Sequence, residues 1–167
     1  MPRVTVPPAA DPLMHVWGTL ATNVTRPAAA LSGAVYASTT FSLREMEAAR
    51  ITIARINDCT LCLDWRSGRD VANRTDQADE VDEAFYAAVL DRRWDELPPR
   101  ERLAAAFAEK FAVDHRDMDD TLWADLHAAF TDDELVELAL ATGAWLSFGR
   151  FNRVFDIDGG CRIGPIG

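Results

Sequence analysis

Apolar positions recur along most of this chain at steps of three and four, the spacing of one face of an α-helix. Leu43, Met46, Arg50, Ile53 and Ile56–Asn57 follow those steps. Ser42-Leu43-Arg44-Glu45 in front of them is a capping box, in which the serine hydroxyl and the glutamate carboxylate satisfy free amides at a helix start. Arg50 to Ala54 alternates briefly in the manner of a strand, but its surroundings are helical and helix is the better reading. Upstream, Asp11 to Asn23 and Pro27 to Ala37 read as two short helices, separated around Thr25-Arg26-Pro27, with proline suited to a first helical position. Ala78 to Leu90 is apolar on one face through Val81, Phe85, Ala88 and Val89. After Pro98-Pro99, Leu103, Phe107 and Phe111 step by four, as do Leu122, Leu126 and Phe130. Thr131-Asp132-Asp133-Glu134 is a second capping box, opening a long helix through Leu135, Leu138, Ala139, Thr142 and Leu146 as far as Val154. Glycine and proline punctuate the tail, about 156–167, which reads as irregular. Helices without strands predict an all-α protein, and 167 residues suit one domain over 1–167.

Composition narrows the function. Hydrophobic residues make up 49% and charged residues 26%, a globular balance. The net charge of −10, from 27 acidic and 17 basic residues, repels phosphate and argues against nucleic acid or an anionic membrane as partner. No apolar run is long enough to cross a bilayer. Met1 to Pro12 lacks the continuous apolar core of a secretory signal, so a cytoplasmic location is expected. Stable structural disulfides are disfavoured there, and the three cysteines then read as chemistry or metal.

The chemistry concentrates in Asn57-Asp58-Cys59-Thr60-Leu61-Cys62. Asp58 is a good N-cap, which would place both cysteines in the first turn of a new helix. Positions i and i+3 share a face, and helix geometry sets their Cα atoms on the order of 5 Å apart, within the reach of a disulfide. The free amides at a helix start favour thiolate, the reactive form. A helix ending near Ile56 and another starting near Asp58 should pack as antiparallel neighbours. Counting outward from the turn puts Glu47 opposite Arg66, which lies four residues after Cys62. An ion pair across the hairpin is the expectation. The plainer alternative is a helix-surface Glu47 paired with Arg50 or Arg44.

Glu47, eleven residues, Cys59, two residues, Cys62 resembles the core motif of the alkylhydroperoxidase D (AhpD) / carboxymuconolactone decarboxylase family. The resemblance covers about 31–153, including a last helix that ends in Phe151-Asn152-Arg153. It implies an AhpD-like helical bundle assembled as a homo-oligomer (dimer, trimer or hexamer), with the cysteines near a subunit interface. It also implies Cys62 as the peroxide-attacking thiol, Cys59 as its partner and Glu47 in a proton relay. One position departs from the pattern. Redox-active members carry a histidine four residues after the second cysteine and often another between the two. Here these are Arg66 and Leu61, and His15, His115 and His127 all lie outside the motif. Arginine remains protonated and cannot pass a proton as histidine does.

The expected activity is therefore a thiol-dependent oxidoreductase or peroxidase, weakened at the relay, with catalytic candidates Cys62, Cys59, Glu47 and Arg66. Its substrate would be a small peroxide or a disulfide, its reductant an unidentified thiol, and no organic cofactor is needed. The alternative is a non-redox member, either decarboxylase-like on a small carboxylated lactone or an oligomer in which Arg66 holds an anion. A structural zinc site wants four ligands, and only Cys161 and dispersed histidines could add to the pair, so no metal is expected. Cys161 reads as a lone thiol, Trp65 and Trp145 as packing residues, and His15 and His127 as carrying no catalytic signal.

Overall fold

The computed structural model describes residues 1–37, 39–71 and 81–159. Among them are nine α-helices: α1 (Pro12–Thr19), α2 (Thr22–Ala37), α3 (Leu43–Ile56), α4 (Thr60–Asp64), α5 (Ser67–Asp70), α6 (Glu83–Leu90), α7 (Pro99–Val113), α8 (Asp120–Ala129) and α9 (Asp132–Val154). Short 3-10 turns at Trp94–Glu96 and His115–Asp117 flank α7. Residues 78–80 of the expected sixth segment lie outside the described residues; the helix that follows starts after Asp82, whose side chain caps the Phe85 amide.

α3 is the axis of the fold. Ten of its fourteen residues are buried, from Leu43 through Ala54. Its alanines make this possible: Ala48, Ala49 and Ala54 let α3 lie close along α7, which answers with Ala104, Ala105 and Ala108. On one side of α3, Leu43, Met46 and Ile53 join Phe107, Leu126, Phe130, Leu138 and Trp145 in the main core. On another, Ile51 packs with Phe85, Tyr86, Val89 and Leu97. Both capping boxes form as the spacing predicts, Ser42 with Glu45 and Thr131 with Glu134. Arg100 then joins the two helix starts, donating to Glu45 Oε1 at 2.5 Å and to Glu134 Oε1 at 2.7 Å.

The first break falls elsewhere than expected. The chain turns at Leu20–Ala21, where Ala21 has φ 45°, and α2 runs through Pro27 without interruption. Proline removes one helical hydrogen bond, and here that loss is absorbed within a helix already anchored by the Thr25 hydroxyl bonded to Leu20 O and Ala21 O. The last turn of α9 also has more order than a glycine-rich tail suggests. Asp156 takes φ 54°, the Ile157 amide returns to Asn152 O and the Asp156 amide to Arg153 O. This left-handed closure folds the chain back, so that Ile157 and Asp158 are buried. Ile157 packs with Leu13 and Val16, beside Leu61 and Phe151. Residues 160–167, Cys161 included, lie outside the described residues.

Candidate redox site

Asp58 is not the N-cap of the cysteine helix. It sits at φ 49°, the left-handed position that ends α3. Its amide returns to Arg55 O at 3.1 Å, and that of Cys59 to Ala54 O at 3.2 Å. That pairing is a Schellman closure with aspartate at the place glycine usually takes. Cys59 itself then caps α4, its Sγ accepting the Cys62 amide at 3.3 Å. Cys59 is thus held from both sides, by α3 through its amide and by α4 through its sulfur. The Cα atoms of Cys59 and Cys62 are 5.2 Å apart and the two sulfurs are bonded. Cys59 is fully buried, whereas Cys62 is half-buried.

The turn is tied to α9 as well. Asn57 Nδ2 donates to Trp145 O at 3.1 Å and Leu146 O at 3.2 Å. Gly149 makes room for it, because a Cβ there would come within 2.4 Å of Asn57 Nδ2.

Glu47 does not pair with Arg66. Its partner is Arg50, one turn further along α3, which donates from Nε at 2.6 Å and from Nη2 at 2.8 Å. Tyr86 Oη donates to the same carboxylate at 2.6 Å, and Ser67 Oγ donates to it as well. Both charges are almost wholly enclosed, with 0% of the Glu47 side chain and 3% of the Arg50 side chain exposed. Burial alone pushes the Glu47 carboxyl upward, but the Arg50 guanidinium and these hydrogen bonds outweigh it, so the group sits below the usual range. Burial and the Glu47 charge push the Tyr86 phenol far up, so it stays a donor. Tyr36, half-buried nearby, is pushed up to about 12 by the loss of water around its hydroxyl.

Arg50 also reaches the cysteine segment, donating to Cys62 O at 2.7 Å and Trp65 O at 2.9 Å. The hairpin expectation failed because α4 stops at Asp64. Trp65 and Arg66 are extended, which turns Arg66 away from the face that Cys62 occupies. Arg66 instead meets Glu83 at 2.9 Å, lies 4.0 Å over the Tyr86 ring and donates to Leu63 O at 2.5 Å. Arg44 is likewise committed elsewhere, to Glu101 at 2.7 Å.

No family model and no curated protein matches this chain. A structure search finds ATU0492 from Agrobacterium tumefaciens, described as a protein of unknown function and a suggested antioxidant defence protein AhpD. The match has a TM-score of 0.63 and 20% identity, and covers 85% of this chain and 90% of that one. The chain has an AhpD-like fold.

Within that AhpD-like fold the two cysteines meet at the start of α4 as the spacing implies, whereas Glu47 reaches their segment only through Arg50 and Arg66 stands apart from Glu47. Arg50 is the partner that the plainer reading of Glu47 offered, although the pair is buried and not on the surface. Ser67, Tyr86 and the tether of Asn57 are neighbours of the site that sequence reasoning did not find. The expected packing roles of Trp65 and Trp145 fit their surroundings, each near Tyr36 with ring centroids 6.2 and 6.3 Å away. His127 lies on the surface, 3.6 Å from Asp132. Among the described residues no three His, Cys, Asp or Glu side chains gather as metal ligands, and no helix is long and apolar enough to cross a membrane.

Proposed function

We propose that this chain is an AhpD-type thiol oxidoreductase whose Cys59–Cys62 pair cycles between dithiol and disulfide. One observation carries the reading: two bonded sulfurs at the start of α4, one enclosed and one reachable. Cys62 is the attacking thiolate and Cys59 the resolving thiol. With a peroxide ROOH, an S–O bond forms at Cys62, the O–O bond breaks, and the departing alkoxide takes a proton to become ROH. Cys59 then attacks the Cys62 sulfenic acid, so that an S–S bond forms and water leaves. An external dithiol returns two electrons and two protons and is itself oxidised to a disulfide. A disulfide partner would enter the same cycle by exchange at Cys62.

Glu47 takes a holding role in this scheme. Its carboxylate is filled by Arg50, Ser67 and Tyr86, and a carboxylate so engaged is a poor proton acceptor. It keeps Arg50 under the Cys62 carbonyl, and Arg66 steadies the end of α4 through Leu63 O. The anion-holding alternative loses support because Glu83 already engages the Arg66 guanidinium. A homo-oligomer acting on small peroxides or disulfides, in the cytoplasm and without an organic cofactor, completes the reading.

The test is a thiol count before and after mild peroxide, with peptide mass spectrometry to locate the bond. Loss of two thiols per chain as a Cys59–Cys62 link, abolished in Cys62→Ser, supports it. Thiols inert to peroxide and to small disulfides overturn it.

A further inference from the structure

The first amide of α4 is engaged by a buried charge from the far end of the chain. Asp158 Oδ2 accepts from Thr60 N at 3.0 Å, and its side chain is only 2% exposed. The left-handed turn at Asp156 and the packing of Ile157 against Leu13 and Val16 hold it there. Arg153 lies between it and Asp58, 3.5 Å from Asp158 Oδ1 and 3.1 Å from Asp58 Oδ2. Arg153 thus bridges two carboxylates at the start of the cysteine helix, of which only Asp158 is enclosed. The same turn carries the Cys59 sulfur, bonded to the Cys62 amide.

We infer that Asp158 is a positioning residue that sets the reduction potential of the Cys59–Cys62 pair; this rests on the redox reading above. A sulfur in the disulfide is neutral and coexists with Asp158 at little cost. After reduction, a thiolate at Cys59 would share the first turn of α4 with Asp158, which takes the Thr60 amide while the sulfur takes that of Cys62, and the two negative charges would lie within about one helical turn. Asp158 therefore disfavours thiolate and with it the reduced form, holding the pair more oxidised than α4 alone would. The other charged groups facing this turn are Arg50, bonded to Cys62 O from α3, Arg150, which donates to Asn57 Oδ1 from α9, and Asp58 and Arg153. Asp58 is 83% exposed, so water and salt screen it, whereas Asp158 is enclosed.

The experiment measures the glutathione redox equilibrium of the whole protein together with thiolate ultraviolet absorbance against pH after phosphine reduction. Asp158→Asn keeps an oxygen acceptor for the Thr60 amide and removes the charge. It should lower the thiol pKa and favour the dithiol about tenfold at alkaline pH, which is about 30 mV for a two-electron couple. The gain should shrink as pH falls and the thiols take up protons. Arg153→Gln leaves the carboxylates uncompensated and should shift both readings the other way. A residue that only braced the fold would move neither reading with this pH profile. If both variants leave the thiol titration and the equilibrium unchanged, the inference is wrong, even where the wild type cycles. If the wild type will not cycle, the redox reading fails, and the titration after phosphine still decides the role of Asp158.

Discussion

At the residue scale, the Glu47–Arg50 pair is where most of the local energy is at stake. Each charge is enclosed, and each is stable only because the other, with Ser67, Tyr86 and two backbone carbonyls, replaces the water it lost. Arg50→Met should strand the carboxylate and destabilise the fold by about 3–5 kcal/mol in urea unfolding. The pH dependence has a definite sign. The Glu47 carboxyl is depressed below its ordinary 4.5, so the folded chain holds fewer protons there than the unfolded one. Its contribution is complete above 4.5 and is lost as pH falls through the lower folded value. Glu47→Gln should be less stable than wild type at neutral pH and should lose less on acidification below 4.5. Arg66 gives the contrasting case, because its partner Glu83 is 77% exposed. Arg66→Met should cost only about 0–1 kcal/mol from that pair. Arg66→His should bring no rise in peroxide turnover, because the Glu47 carboxylate is already filled and Arg66 is not its neighbour. A substantial rise in that assay would reinstate the relay across the hairpin.

At the element scale, the cysteine helix works because its short length is compensated by its anchors. A five-residue helix has no stability of its own. The Schellman closure of α3, the Arg50 bonds to Cys62 O and Trp65 O, the Asn57 tether to α9 and the Asp158 bond to Thr60 fix it from four directions. The tether can be tested at Gly149. Gly149→Ala sets a Cβ 2.4 Å from Asn57 Nδ2, which must leave its two carbonyls. The expected loss is about 1–3 kcal/mol. In the Asn57→Ala background the same change should be nearly silent, and additive losses in that double-mutant cycle would show that the two residues do not act through each other.

At the scale of the whole molecule, α2 is the least satisfied element. Of its sixteen residues only Thr25 is buried, although the helix is mainly apolar and small, and Val24 and Leu31 are 62% and 44% exposed. On α9, Val136 and Leu140 are each 61% exposed. Apolar surface of this kind is commonly covered in an assembly. Light scattering at micromolar concentration should give a mass above one 18.5 kDa chain, and Leu31→Lys with Leu140→Lys should lower it. A monomeric wild type would count against the oligomer.

Much of this was legible in local spacing. Steps of three and four, two capping boxes and an i, i+3 cysteine pair are short-range patterns, and short-range steric and hydrogen-bonding rules suffice to turn them into helices, helix starts and a bondable pair of sulfurs. The partner of Glu47 was not legible from the register of the turn, because that count assumed one unbroken helix past Arg66. Three arginines donate to the last carbonyls of α4, Arg50 to Cys62 O, Arg66 to Leu63 O and Arg69 to Asp64 O, and the first of them comes from another helix. Asp58 held a similar ambiguity: aspartate is a favoured N-cap and only occasionally a left-handed closure, and the tether of Asn57 to α9 goes with the second. Asp158 lies 98 residues from Thr60 along the chain, so no local pattern could join them. The sequence by itself determined the helices and the bondable pair of cysteines; only the tertiary structure decided which charges surround that pair, since a charge finds its partner through space and not along the chain.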